Sequence, residues 1–228
     1  MIIGGFQKMT MLDYPGKVAC TVFTYGCNLR CPFCHNASLV IDEAQLFSEE
    51  EILSYIEKRK KILDGVCISG GEPLMQKDIF DFMRKIKSMG LLVKLDTNGS
   101  YPEKLKEAIE LGLVDYVAMD IKNSKEKYAI TTGKKSIDIS AFEKSVELLL
   151  CGRVEYEFRT TVVKQHHELE DIKSIGKWIK GAEKYFLQDF VDSGNLIENG
   201  LCGHEKNTLE AFKQAVFDDV KHVSIRGT

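Results

Sequence analysis

The chain has 228 residues, 44% of them hydrophobic and 29% charged, with a formal net charge of −3. This is the composition of a soluble globular protein long enough to bury a core without disulfide staples, and it carries no basic signature for nucleic acid or an anionic membrane surface. No apolar run approaches the roughly 20 residues that span a bilayer, and residues 1–10 lack the basic start and long apolar stretch of a secretory signal, so a cytoplasmic location is expected. Seven cysteines, an odd number without an export signal, point to metal or redox use rather than a disulfide framework.

In chain order, residues 17–24 (KVACTVFT) favour a strand. Residues 48–61 read as a helix, with Ser48 as N-cap and Glu51 at the capping-box position. Residues 65–69 form a short apolar strand. Residues 77–89 have helical spacing, with Ile79, Phe82, Met83 and Ile86 on one face and Gly90 closing it. Strands are predicted at 91–96, 116–120, 156–163 and 185–188, and helices at 102–111, 140–150, 168–180 and 208–220. Pro102 opens its helix, and Gly112 follows the end of the same one. A short run, 222–225, ends the pattern. Residues 122–135 form the longest polar stretch and read as a strand-to-helix loop. About six strands alternating with helices imply an α/β fold with a parallel sheet and right-handed crossovers. Six units are too few for the eight-unit barrel, so a partial (β/α)6 barrel is expected. No repeat or linker divides the chain, which reads as a single domain, 1–228, with its core at about 17–190.

Cys27, Cys31 and Cys34 stand in C-x3-C-x2-C spacing, with Phe33 before the last. Thiolates are soft ligands suited to iron–sulfur clusters and to zinc. Three can hold three irons of a cubane and leave one iron open for reaction; the alternative is a zinc site completed by His35 or a distant cysteine. Ser69-Gly70-Gly71-Glu72-Pro73-Leu74 directly follows a predicted strand, where two glycines let backbone approach a ligand closely. Asp96-Thr97-Asn98-Gly99, Asp120-Ile121-Lys122, Arg159 and Gln188 each lie at or near the C-terminal end of a predicted strand. In barrels of parallel strands those ends converge on one mouth. Cys20 and Cys67 read as buried small hydrophobes, Cys151 as inert, Cys202-Gly203-His204 as a surface loop and His166-His167 as a turn.

The cysteine signature resembles that of the radical S-adenosylmethionine family, C-x3-C-x-aromatic-C. Tyr25 to Asn28, Cys34-His35-Asn36, the DTNG segment and Met119-Asp120-Ile121-Lys122 narrow the resemblance to the activating enzymes of glycyl radical enzymes. The front residues Gly4-Gly5-Phe6 and Asp13-Tyr14-Pro15-Gly16, with the terminal residues 223–228, are similar to the longer form of the anaerobic ribonucleoside-triphosphate reductase activating proteins. The resemblance implies a [4Fe–4S] cluster on Cys27, Cys31 and Cys34, and S-adenosylmethionine bound by Gly70, Gly71, Glu72, Asp96, Asn98, Lys122, Arg159 and Gln188. It also implies a monovalent cation held by Asp96, Thr97 and Asp120, on whose supply activity would depend. The implied reaction is reductive cleavage of the ligand to a 5′-deoxyadenosyl radical that takes hydrogen from a glycine of a partner, most readily the anaerobic reductase. A flavodoxin- or ferredoxin-type protein would donate the electron. Alternatives are activation of another glycyl radical enzyme such as pyruvate formate-lyase, modification of a small molecule, or a non-catalytic iron–sulfur or zinc module. A side chain at Gly71 is expected to obstruct the ligand and leave the iron in place.

Overall fold

The computed structural model describes residues 1–41 and 45–227; Thr228, the last residue of the terminal motif, lies outside them. Eight strands form one sheet in chain order: β1 (Ile3–Thr10), β2 (Ala19–Thr24), β3 (Gly65–Gly70), β4 (Leu92–Thr97), β5 (Tyr116–Asp120), β6 (Glu155–Val162), β7 (Lys184–Asp189) and β8 (His222–Arg226). β1 pairs antiparallel with β2, and every later pairing is parallel. The two edge strands, β1 and β8, do not meet, so the barrel is open. The six expected strands are β2 to β7. The terminal run at 222–225 becomes a further parallel strand, and an antiparallel strand precedes the set. Among the described residues no helix is long and apolar enough to cross a membrane.

Helices α1 (Ala37–Ile41), α2 (Glu49–Arg59), α3 (Ile79–Ser88), α4 (Pro102–Glu110), α5 (Tyr128–Thr131), α6 (Ser140–Leu150), α7 (Leu169–Trp178) and α8 (Lys206–Ala215) fill the crossovers. Ser48 caps α2 by accepting the Glu51 N–H. Residues 122–135 are not all loop: Tyr128 of α5 is fully buried, its ring 4.7 Å from Phe142 and 5.8 Å from Trp178. That aromatic anchor offsets the polar composition from which a loop was expected.

Strand alternation sorts the side chains. Ile68, Leu95, Met119, Phe158 and Leu187 face the helices and join Phe82, Leu105, Phe142 and Ile175 in one core. Their neighbours Ser69, Asp96, Asp120, Arg159 and Gln188 face inward and line a cavity at the strands' C-terminal ends. The opposite end is stopped by Tyr14, buried against Ala19 and Tyr116, while Asp13 accepts a 2.5 Å hydrogen bond from Thr21. This is the structural work of the Asp13–Gly16 segment.

β8 is tied to the barrel by charge. Arg226 makes paired contacts of 2.7 and 2.9 Å to Glu157, whose side chain is 1% exposed and also accepts from Tyr116 Oη at 2.8 Å. Removing one member of such a pair leaves a buried charge without its counter-ion. Arg226→Met is therefore expected to destabilise the protein by about 3 kcal/mol, the low end for buried pairs because Arg226 is partly exposed. Adding Glu157→Gln should recover most of that loss. Urea unfolding of both variants measures this, and an additive pair of effects would contradict it.

Candidate functional site

β2 delivers the chain into the loop carrying the three cysteines. Cys27, Cys31 and Cys34 all line the mouth cavity, of about 200 Å³. Leu29 and Phe33, between them in sequence, also line it and, with Cys31, join Val163, Phe190 and Leu201 in an apolar cluster apart from the main core. The aromatic residue of the signature thus walls the site from solvent. Burial pushes the Cys27 thiol up to about 11 and Cys31 up to about 12, and raises Cys34, while the nearby Lys122 charge pulls all three back. Bare, the site favours thiols; bound iron would displace those protons. Among the described residues no three His, Cys, Asp or Glu side chains converge on a point as they would around one ion. The thiols instead share a cavity, the arrangement that suits a cubane, whose body is far wider than a single metal. His35 does not complete a zinc site: its ring stacks on Phe190 and its Nε2 lies 3.0 Å from the Val191 carbonyl. Cys202 is exposed, its sulfur 3.4 Å from Gln165 Nε2.

The glycine-rich loop is fitted against the cysteine loop. Gly70 has φ +108°, and a Cβ there would lie 2.5 Å from the Thr24 nitrogen. A Cβ on Gly71 would lie 1.9 Å from the Gly26 carbonyl oxygen. The close neighbour that requires glycine is thus the protein's own backbone, one residue before Cys27. Both glycines line the cavity, but Glu72 does not. Its carboxylate is fully buried and accepts from Thr97 Oγ1 at 2.8 Å, the Asn98 N–H at 2.7 Å and the Leu74 N–H at 3.1 Å. Burial pushes it up to about 7 against those donors. Glu72 therefore staples the loop after β3 to the loop after β4.

Arg159 lies between two carboxylates, its Nε 2.9 Å from Asp120 and its Nη1 3.3 Å from Asp96. Lys122 meets Asp120 at 2.9 Å, Ser69 donates to Asp96 at 3.0 Å, and Lys94 pairs with the other Asp96 oxygen. Burial alone would raise Asp120, but Arg159 and Lys122 outweigh it and hold the carboxyl at about 2. Burial likewise disfavours charge on Asp96, and the Arg159 and Lys94 charges reverse the effect and lower it. Asp96, Asn98, Asp120, Lys122, Arg159 and Gln188 all line the cavity with the cysteines. The oxygens expected around a monovalent cation do not fit one here. Those of Asp96 and Asp120 are held by protein cations, and the Thr97 hydroxyl is committed to Glu72 and to the Gly99 N–H.

Several roles were not evident from the sequence. Asn36 donates to the Gly70 carbonyl at 3.1 Å, tying the cysteine loop to the glycine loop. Asn28 accepts from Asn98 at 3.0 Å and donates to Ser100 at 2.9 Å. His167, expected in a simple turn, is fully buried: its Nδ1 lies 3.1 Å from the Val163 N–H and its Nε2 2.8 Å from the Lys122 carbonyl. One neutral tautomer, protonated on Nε2, satisfies both and positions the Lys122 backbone. No spacing reveals this, because the Lys122 carbonyl comes from the segment after β5, 45 residues earlier in the chain.

Two outcomes follow. Gly71→Val is expected to lose iron as well as ligand affinity, because its side chain displaces Gly26 and with it Cys27; iron analysis after anaerobic reconstitution decides this, and full iron content would refute it. Burial holds His167 down at about 4, against an ordinary value of 6.5. A depressed histidine contributes stability that is present above pH 6.5 and lost as pH falls toward 4. Between pH 7.5 and 4.5 the protein should lose roughly 2–3 kcal/mol more than His167→Phe does. Parallel losses in denaturant titrations at both pH values would exclude the assignment.

Comparison with known proteins shows the family. The Radical SAM superfamily profile matches residues 21–183. A protein of Methanocaldococcus jannaschii named "Putative glycyl-radical enzyme activating enzyme" is 36% identical over 193 residues, 83% of this chain and 80% of its own length. The pyruvate formate-lyase-activating enzyme of Clostridium pasteurianum is 29% identical over 222 residues, 92% of this chain and 90% of its own. Streptococcus suis SuiB shares the fold, with a TM-score of 0.68 at 14% identity over 89% of this chain and 47% of its own. A domain of the pyruvate-formate lyase-activating enzyme of Bacteroides vulgatus superposes with a TM-score of 0.58 at 15% identity, over 72% and 99% of the two chains. The chain belongs to the radical SAM superfamily, within its group of glycyl-radical enzyme activating enzymes.

Proposed function

We propose that this chain activates a glycyl radical enzyme, most readily anaerobic ribonucleoside-triphosphate reductase, by generating a radical from S-adenosylmethionine at the barrel mouth. The observation that carries the reading is that Cys27, Cys31 and Cys34 line one cavity with Gly70, Gly71 and the charged ends of β4, β5 and β6. When bound, a [4Fe–4S] cluster and S-adenosylmethionine supply the hard chemistry, an electron to the sulfonium and a carbon radical that takes hydrogen from glycine. The protein's part is to bind, orient and exclude water. Cys27, Cys31 and Cys34 hold three irons. The exposed edge of the Gly70–Gly71 loop presents backbone to the ligand's amino group. Arg159 and Lys122 face a ligand carboxylate; three cations against two carboxylates leave one positive charge for it. Asp96, Asn98 and Gln188 complete the polar lining. Leu29 and Phe33, packed with Val163 and Phe190, keep the cluster side dry.

The partner is inferred from the similarity of the two terminal segments, of which Tyr14 plugs the lower end of the barrel and residues 223–226 lie in its last strand. The similarity to pyruvate formate-lyase-activating enzymes favours a second reading, in which that lyase is the partner. A flavodoxin- or ferredoxin-type donor and a cytoplasmic setting fit a site of oxygen-sensitive thiolates in a chain with free cysteines.

The deciding experiment is anaerobic. Reconstituted protein with a strong reductant should cleave S-adenosylmethionine, and mixing it with each candidate partner should give a glycyl radical signal with one of them. Replacing any one of Cys27, Cys31 or Cys34 by Ala should abolish both cleavage and full iron loading, and Cys202→Ala should affect neither. Iron loss on Cys202→Ala would mean a four-cysteine module instead.

A further inference from the structure

Lys94 is an ammonium buried inside the barrel. It lies on the inward face of β4, two residues before Asp96, in register with Cys67 on β3 and Tyr116 on β5. Its side chain is 2% exposed, its Nζ contacts Asp96 Oδ1, and the Cys67 sulfur lies 3.8 Å away. Burying an ammonium costs several kcal/mol unless an opposite charge compensates, and Asp96 is that charge.

Position separates Lys94 from the other two cations of the site. Arg159 and Lys122 line the mouth cavity, so an entering ligand can draw them off Asp96 and Asp120. Lys94 does not line it and sits one layer below. Whatever the ligand does to Arg159, one Asp96 oxygen keeps a positive partner. An ammonium is also a compact point charge, closer in character to a hard monovalent ion than a guanidinium is. A free cation arriving here would add a fourth positive charge to three that already face two carboxylates, at short range in a buried site.

We propose that the Lys94 ammonium is a built-in cation, supplying Asp96 from below with the positive charge that a bound monovalent ion would supply, so that ligand binding by this chain does not depend on sodium or potassium. The ion is replaced by a side chain that cannot be washed out or exchanged.

The test compares sodium, potassium and tetramethylammonium chlorides at equal ionic strength. Its first arm is the thermal midpoint of the cluster-free protein, since an ion bound to the folded state alone raises it. Equal midpoints for the unmodified protein in all three salts are expected; a rise in sodium or potassium overturns the proposal. Its second arm rests on the proposed function and measures S-adenosylmethionine affinity of the anaerobically reconstituted protein by equilibrium dialysis. The unmodified protein should bind equally in all three salts. Lys94→Met should bind at least about tenfold more weakly in tetramethylammonium and recover in sodium or potassium. Loss that neither ion restores, or unchanged binding by Lys94→Met, overturns the replacement. If Lys94→Met fails to fold, the first arm decides, with Lys94→Arg expected to match the unmodified protein. If the unmodified protein binds no ligand in any salt, the proposed function fails and the thermal arm still judges Lys94.

Discussion

Arg159 reaches from β6 to Asp120 on β5 and Asp96 on β4, and the polar interior is organised around that reach. Parallel strands place alternate residues inside the barrel, and in this chain many of those residues are charged. Each buried charge costs several kcal/mol unless paired, so the inner face is sorted into pairs: Lys94 with Asp96, Lys122 with Asp120, Arg226 with Glu157. Arg159 links the first two into one network spanning three strands. That network fixes where positive and negative ends stand at the mouth.

The loops above it are held to one another by the protein's own polar groups and close backbone packing. Glu72 accepts from three donors and joins the loops after β3 and β4, while Gly71 leaves room for the Gly26 carbonyl just before Cys27. Asn36 closes the circle by donating to Gly70. The cysteine loop and the glycine loop are therefore tied to each other. A change in either is expected to disturb both, and on the proposed function that would couple the cluster's position to that of the ligand.

The hydrophobic faces were legible because helix and strand periods are local. Ile79, Phe82, Met83 and Ile86 were assigned to one buried face from spacing alone, and all four are buried. The six parallel strands were likewise readable from alternating apolar segments and their turns. β1 was not, because Gly4 and Gly5 and its polar residues give it a weak strand signal, and only antiparallel pairing along β2 makes it one. α5 was hidden inside a polar stretch because its anchor, Tyr128, finds Phe142 and Trp178 only after the chain has folded.

The sequence by itself determined the cysteine spacing, the glycine pair and the strand-end residues, since each is a short motif whose chemistry depends on residue type and local order. Tertiary structure alone decided which of those residues face the cavity and which serve the scaffold. Glu72 belongs to a conspicuous motif, yet it is consumed by the Leu74 and Asn98 N–H groups and the Thr97 hydroxyl, two of which come from the end of the next strand. Lys94 and His167 belong to no motif, yet one compensates Asp96 and the other holds the Lys122 backbone. The physical reason is that a buried polar group takes its role from the partner that satisfies it: for Glu72 and His167 that partner comes from a distant loop, and for Lys94 it is a neighbour on its own strand that only barrel closure turns into a buried pair.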